Sequence, residues 1–361
     1  MLALITLFLG ALFFYVKIHF LNICKLPLFF NILFTILLFL GIFNIHITLI
    51  IGNKLSFLLV LFLSACNLLL IYFFASTLFI DILKFFLKCD FKYIYLFFLI
   101  ALPILSSIAV YNAFKFPEVK TIKLEANNFE NFNKLNLVQL SDLHITKHTK
   151  ESRIKKIVET VNKLNPDIIV ITGDSVDDSP EIISEKFLPF KDFKAPIYMV
   201  FGNHEYYHNP DAWHEYFKSL NINLLENDSV ILEDNDYKIN LLGIDFGPMY
   251  NDKLEEKNKL IDKVFEKNHA DDNSLKIVLT HHPKAFNKIS IKDVFLVLSG
   301  HTHGGMTFPI STITKFFNGG YLKGLYHKNH SHLYVTSGTS LWSGMMARIG
   351  CKNEIVKFEI K

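Results

Sequence analysis

The chain has 361 residues, 51% of them hydrophobic and 14% aromatic, with a formal net charge of +3. The apolar residues are concentrated before residue 115, which excludes one uniform soluble domain. Up to Pro117 seven Lys oppose only Asp81 and Asp90, for +5, whereas the remainder carries 30 basic and 32 acidic residues, for −2; no basic stripe of the kind nucleic acid requires falls on the soluble part.

In chain order, apolar runs near residues 1–23, 28–51, 56–80 and 93–114 each approach or exceed the ~20 residues that a helix needs to cross a bilayer. Four transmembrane helices are therefore predicted in a membrane domain, residues 1–117. The first run has neither a basic leading segment nor an A-x-A-like cleavage site, so it reads as a span rather than a signal. Residues 81–92, which alternate Phe, Leu and Ile with Lys84, Lys88 and Lys92, read as an amphipathic stretch on the membrane surface. Lys17, Lys25, Lys84, Lys88 and Lys92 would face the cytoplasm by the positive-inside rule, which places the second half of the chain outside. Cys24, Cys66 and Cys89 fall in or beside the apolar half, so Cys351 alone offers neither a disulfide framework nor a thiolate metal site to the soluble half.

Residues 118–361 read as one α/β domain. Strands are predicted at 119–124, 135–140, 167–172, 196–201, 276–280, 294–299, 333–337 and 354–360, with a strand pair at 229–232 and 237–244. Amphipathic helices are predicted at 152–164, 184–193, 210–220 and 254–267. The alternation suits two packed β-sheets flanked by helices, an αββα sandwich, better than one doubly wound sheet.

Five polar clusters interrupt this half: Ser141-Asp142-Leu143-His144, Gly173-Asp174-Ser175-Val176-Asp177, Gly202-Asn203-His204-Glu205, Thr280-His281-His282-Pro283, and Gly300-His301-Thr302-His303-Gly304-Gly305. Each lies at the end of a predicted strand, and loops leaving the carboxyl ends of strands converge in α/β sheets. Asp142 and His144, like His301 and His303, are two apart in extended segments and project to one side. Carboxylate, imidazole and amide donors together suit Mn²⁺, Fe, Zn²⁺ or Co²⁺ rather than Ca²⁺. Two such ions ~3.5–4 Å apart activate water and neutralise charge on a transferring phosphoryl group.

The five clusters, in this order over residues 135–350, resemble the calcineurin-like metallophosphoesterase superfamily, and more narrowly its membrane-anchored bacterial branch. The resemblance implies a binuclear metal-dependent phosphoesterase holding two divalent ions. Asp142, His144 and His303 would hold the first ion, Asn203, His281 and His301 the second, with Asp174 between them. His204 would act as the acid and Asp177 would orient it. His282 would face the substrate, and Arg348 would contact a phosphate. Met306 stands where the branch commonly has Gln, which leaves a polar substrate contact there without its usual residue.

The implied partners are a phosphate ester, lipid-linked in one version, and the lipid bilayer of a bacterial inner membrane that the chain crosses several times. UDP-2,3-diacylglucosamine of lipid A synthesis is one substrate that fits the resemblance. A phosphodiester at the cell exterior is the competing substrate, and a catalytically silent membrane sensor or scaffold the competing role.

Overall fold

Long apolar runs form helices in the first part of the chain, and short apolar runs, most of them buried, form sheets in the second. The computed structural model describes residues 2–51, 54–87, 91–126, 132–247, 253–267, 274–342 and 344–361. They form two units, residues 1–114 with 342–350, and residues 115–341 with 351–361.

In the first unit α1 (Leu2–Val16) continues through a π-helical turn, Lys17–Leu21, into α2 (Asn22–Cys24), followed by α3 (Leu28–Ile51), α4 (Phe57–Leu87) and α5 (Lys92–Ala113). Among the described residues α4 and α5 are long and apolar enough to cross a membrane, while the apolar stretches Thr6–Leu21 and Leu28–Asn44 are shorter. Residues 81–87 continue α4 without a break instead of forming a separate surface segment, and Lys88, Cys89 and Asp90 lie outside the described residues. At ~1.5 Å per residue, α4 is ~46 Å long, well beyond the ~30 Å hydrocarbon core of a bilayer.

Polar side chains tie these helices together. Asn67 donates to the Gly41 carbonyl at 2.8 Å, and a Cβ at Gly41 would lie 2.6 Å from the Cys66 oxygen, so α3 and α4 meet backbone to backbone. Asp81 accepts from Tyr15 and Tyr95 at 2.7 and 3.0 Å and lies 2.9 Å from His19 of the π-helical turn. The segment 342–350 belongs to this unit: Asn44 donates to the Gly344 carbonyl at 2.8 Å, the Met346 amide to Ser64 Oγ at 2.8 Å, and the Arg348 amide to the Ala109 carbonyl at 2.9 Å.

The second unit has strands β1 (Glu118–Leu124), β2 (Leu135–Leu140), β3 (Ile168–Thr172), β4 (Ile197–Val200), β5 (Ile222–Leu224), β6 (Ser229–Asp234), β7 (Tyr237–Ile244), β8 (Leu275–Thr280), β9 (Leu296–Ser299), β10 (Gly324–Lys328), β11 (Ser331–Val335) and β12 (Glu354–Ile360). They pair as two six-stranded sheets in the orders β1-β12-β2-β3-β4-β5 and β10-β11-β9-β8-β7-β6. β2 through β5 are mutually parallel, as are β7, β8, β9 and β11. The helices are α6 (Glu151–Lys163), α7 (Pro180–Ile183), α8 (Asn203–Tyr207), α9 (Pro210–Ser219), α10 (Leu254–Lys267), α11 (Phe286–Ile289) and α12 (Ile310–Phe317). The expected helix at 184–193 is a 3₁₀ stretch, Ser184–Asp192, with Pro189 inside it. Proline lacks the amide that an α-helical turn would need there.

Strand periodicity builds the layers. Leu135, Leu137, Val170 and Val200 of the first sheet bury against Leu241, Ile277, Leu279, Leu296 and Leu298 of the second. The alternate residues Val138, Leu140, Ile169, Ile171 and Met199 face α6 and α9 through Ile154, Ile157, Trp213 and Phe217. On the far side Leu242, Val278 and Val297 pack against α10 and α11 through Ile261, Val264 and Phe286. The result is the helix-flanked double sheet expected from the alternation.

Candidate metal centre

The carboxyl ends of the central strands carry the polar clusters, and backbone hydrogen bonds join their loops. The Asp142 amide donates to the Gly173 carbonyl, His144 to Asp174 and Ile145 to Ser175, all between 2.9 and 3.0 Å, which fastens the loop after β2 to the loop after β3. Across the sheets the Gly300 amide donates to the His281 carbonyl at 3.1 Å. Gln139, on the inner face of β2, donates to Thr172 Oγ1 at 2.9 Å and to the Ser299 carbonyl at 3.2 Å, locking the two sheets beneath the site.

These loops hold an unusual backbone. Asp142, His144, Asp174, His301 and His303 all have positive φ, between 42° and 71°. Such conformations are costly for residues with a Cβ and persist where surrounding contacts over-determine them. Gly173 allows the closest approach: a Cβ there would lie 2.6 Å from the Gly202 nitrogen and 2.7 Å from His281 Nδ1.

The side chains converge on two groups. Asp142, His144 and His303 form the first, and Asp174, His281 and His301 the second, each offering one ligand atom within 4.8 Å of the others. In the first, His303 Nε2 lies 3.0 Å from His144 Nε2 and 3.5 Å from Asp142 Oδ1. In the second, His281 Nε2 lies 3.1 Å from Asp174 Oδ2 and 3.3 Å from His301 Nδ1. Asp174 Oδ2 reaches both groups, because it is also 3.8 Å from His144 Nε2. Asn203 is buried, and its Oδ1 accepts no hydrogen bond.

These donors fit a pair of divalent ions. A buried amide oxygen without a donor, and imidazole nitrogens turned toward one another and toward carboxylates, are each left short of a cation. Second contacts orient the candidate ligands: His281 Nδ1 lies 2.7 Å from the Thr172 carbonyl, which turns its Nε2 inward. His144 Nδ1 is 2.7 Å from Asp177 Oδ1, and His204 Nδ1 is 2.6 Å from the same oxygen. His144, Asp177 and His204 thus form a third close group, but Asp177 occupies the Nδ1 atoms and leaves both Nε2 atoms toward the centre.

Electrostatics follow from burial and neighbours. Desolvation raises the Asp142 carboxyl, against which the nearby imidazoles pull only partly. Desolvation also opposes ionisation of Asp174 and Asp177, but His281 and His204 beside the first and His144 and His204 beside the second outweigh it and hold both below the ordinary carboxylate value. Burial alone would lower His204, yet Asp174 and Asp177 overcome it and lift the imidazole to about 9, so it carries a proton at neutral pH. Burial and the neighbouring His281 lower His301 to about 3. His282 is lowered well below its usual range, first by burial and then by His301 and His281.

His282 stacks edge-on against His301 and His281, with ring centroids 4.3 and 5.0 Å away, and lines a pocket with Asn203, Tyr206, Asp245 and Phe246. Arg348, expected to contact a phosphate, is 1% exposed and belongs to the unit formed by the apolar helices.

Two residues without an expected role take part. Glu205 is fully buried, and its carboxylate accepts from the amides of Asp174, Ser175 and Gly202 at 3.0, 2.6 and 2.8 Å. A Glu at the third position of a helix that starts at Gly202-Asn203 is a capping signature, and that was its signal in the sequence. Asp245, after β7, accepts from Tyr206 and from the Gly247 amide at 2.9 and 2.7 Å. No metal-type spacing marks Asp245.

Comparison with known proteins points the same way. The calcineurin-like phosphoesterase profile matches residues 135–305. An uncharacterized metallophosphoesterase of Campylobacter jejuni is 32% identical over 276 residues, which is 74% of this chain and 70% of that one. A similar uncharacterized metallophosphoesterase of Helicobacter pylori is 35% identical over 217 residues, 59% of this chain and 56% of its own. A "Transmembrane protein with metallophosphoesterase domain" of Danio rerio is 33% identical over 276 residues, 73% of this chain and 62% of that one. The narrower likeness to a bacterial branch therefore does not hold, since vertebrate proteins match as well.

Proposed function

The chain belongs to the calcineurin-like metallophosphoesterase family, and on that premise we propose that it cleaves a phosphodiester or pyrophosphate bond in a membrane-associated substrate, with His204 as the proton donor. The family and the two Asp/His groups make it a metal-dependent phosphoester hydrolase with a dinuclear centre of open metal identity. The observation that carries the proposed roles is Asp174 standing between both groups with His204 Nε2 3.9 Å away.

Asp142, His144 and His303 would hold one ion, Asn203, His281 and His301 the other, and Asp174 both. When bound, the ions lower the pKa of water and neutralise phosphoryl charge. The protein does the rest. Asp177 fixes the His204 ring, and the two carboxylates keep a proton on it. That proton passes to the leaving oxygen as its bond to phosphorus breaks. His282 and Asn203 line the pocket in which the ester's other substituent would lie.

Membrane attachment is supported by α4 and α5 and by the transmembrane designation of the fish relative. The Lys distribution favours an exterior substrate. UDP-2,3-diacylglucosamine, which requires a cytoplasmic site, remains the named candidate for testing. A silent scaffold is the weaker reading, because the Asp and His residues proposed as ligands and acid come together in close groups.

Detergent-purified full-length protein, stripped of metal and reconstituted with Mn²⁺, is to be offered bis(p-nitrophenyl) phosphate and UDP-2,3-diacylglucosamine. Metal-restored cleavage of the diester, abolished by EDTA, is expected. UMP release from the lipid would identify the substrate, and none would remove it from consideration. No hydrolysis of either substrate with metal bound would sink the enzymatic reading.

A further inference from the structure

Helix α12 turns its apolar side outward. Phe308, Ile313, Phe316 and Phe317 are 70, 48, 77 and 69% exposed, and no residue of α12 is buried. Ile313, Phe316 and Phe317 fall within one ~100° stripe at 3.6 residues per turn, so the helix presents the face that amphipathic helices ordinarily bury. Each phenylalanine carries ~150–250 Å² of side-chain surface. The patch therefore reaches several hundred Å², the size at which exposed apolar surface marks an interaction site.

The sequence around the helix is cationic in a way the rest of the domain is not. From Val294 to Asn353 there is no Asp or Glu, while Lys315, Lys323 and Lys328 lie on or shortly after the helix and are exposed. The domain as a whole is slightly acidic, so this charge is local. Lys315 is on α12 itself, and Lys323 lies just beyond it; both are exposed.

The helix is also seated directly on the loop that carries two proposed ligands. Gly305 has φ +73°, and a Cβ there would lie 2.6 Å from Ser311 Cα. Thr302, between His301 and His303, donates through Oγ1 to the Leu322 carbonyl at 2.5 Å. The Ser311 amide donates to the Thr307 carbonyl at 2.9 Å.

We propose that α12 and the Phe308 turn form an interfacial element that inserts into an anionic lipid surface beside the metal centre, admitting an amphiphilic phosphoester whose phosphate lies at headgroup depth. Apolar residues with flanking lysines, in a chain that also carries two bilayer-length helices, match a lipid surface in both hydrophobicity and charge. The proposal refines the substrate class and rests on the phosphoesterase reading above; the contact with lipid is tested independently of it.

The test uses the full chain in nanodiscs of phosphatidylcholine and phosphatidylglycerol. Phe316→Trp is introduced with Trp342→Phe, leaving only the buried Trp213 besides the probe. Brominated acyl chains are expected to quench the new emission at least twofold. Unchanged emission would overturn the proposal, as would crosslinking between copies through position 316, which would make a second copy of this chain the occupant. A double variant, Phe316→Ser with Phe317→Ser, should raise the KM for a vesicle-embedded lipid phosphodiester at least tenfold while bis(p-nitrophenyl) phosphate hydrolysis stays within twofold. Quenching with equal effects on both substrates would overturn the substrate-admitting role. If neither substrate is cleaved by the unaltered protein, the phosphoesterase reading fails, and quenching still decides the lipid contact.

Discussion

Asp177 Oδ1 lies 2.6 Å from His204 Nδ1 and, with the same oxygen, 2.7 Å from His144 Nδ1. One carboxylate therefore sets the ring orientation of both the proposed acid and a proposed metal ligand. Asp177→Asn should lower kcat at least 10²-fold, in line with the range for general acid catalysis. It should also move the alkaline limb of the rate profile to lower pH: removing a negative neighbour lowers the His204 pKa from about 9, so the proton is lost sooner. A pH–rate profile on a soluble diester checks both, and an unmoved alkaline limb would detach Asp177 from His204.

Asp174→Asn and His204→Ala separate binding from chemistry. Both should nearly abolish hydrolysis of an aryl phosphodiester while the fold persists. Asp174→Asn should also reduce bound metal below two equivalents, since its Oδ2 is shared by both groups. His204→Ala should retain both ions. Metal analysis beside circular dichroism distinguishes the two, and full activity in both variants would refute the site assignment.

Glu205→Gln tests the support under the site. The carboxylate is buried and accepts three backbone amides. The amide replacement loses the charge and brings a donor where only acceptors fit, at a cost of about 1–3 kcal/mol. Lower thermal stability and weaker Mn²⁺ affinity are expected together, because two of the three amides belong to the Asp174 loop. Isothermal titration with Mn²⁺ is the measurement.

Asp245 makes stability depend on pH. Burial raises its carboxyl to about 7, against hydrogen bonds from Gly247 and Tyr206 that only partly offset it. A folded pKa above the unfolded value means that the folded state binds the proton more tightly. The stabilising contribution is therefore full below about pH 4 and is lost as pH rises toward about 7. Asp245→Asn removes that dependence, so the difference in apparent Tm between variant and parent should shift in the variant's favour between pH 4 and 7. A constant difference across that window would show that Asp245 does not titrate there.

Removing residues 1–114 should do more than detach an anchor. Asn44, Ser64 and the Ala109 carbonyl hold the backbone of Gly344, Met346 and Arg348, and residues 345–348 are buried in that unit. The chain 115–361 would expose Met345, Met346 and the Arg348 side chain, and is expected to aggregate or lose several degrees in Tm. Asn44→Leu in the full chain should give a smaller loss of the same sign. A stable, monodisperse truncated chain would show that the segment needs no helices.

The candidate ligands were legible because their signal is local. Apolar runs of four to six residues announce buried strands, and the polar residues immediately after them have only the crevice at the strand ends to occupy. Glu205 stood in the open within one of those clusters, but its role depends on which amides surround it after β3 and β4 are paired. Arg348 likewise depends on neighbours distant in the chain. In sequence it offered a phosphate contact, whereas in the structure the residue is buried and its amide donates to the Ala109 carbonyl of α5, 239 residues earlier. Residues 81–87 of the interfacial stretch expected at 81–92 continue α4, because helix propagation carries on through a few charged residues.

Sequence alone thus determined the α/β architecture, the order of the polar clusters and the chemistry of the donors they offer, all of which rest on periodicity and residue type within a few positions. Tertiary structure decided which oxygen of Asp177 serves two imidazoles, why Asn203 Oδ1 lacks a donor, and that the apolar side of α12 faces outward while residues 345–348 are buried. Those outcomes depend on burial, which is a property of neighbours distant in the chain, and no local pattern of residues encodes them.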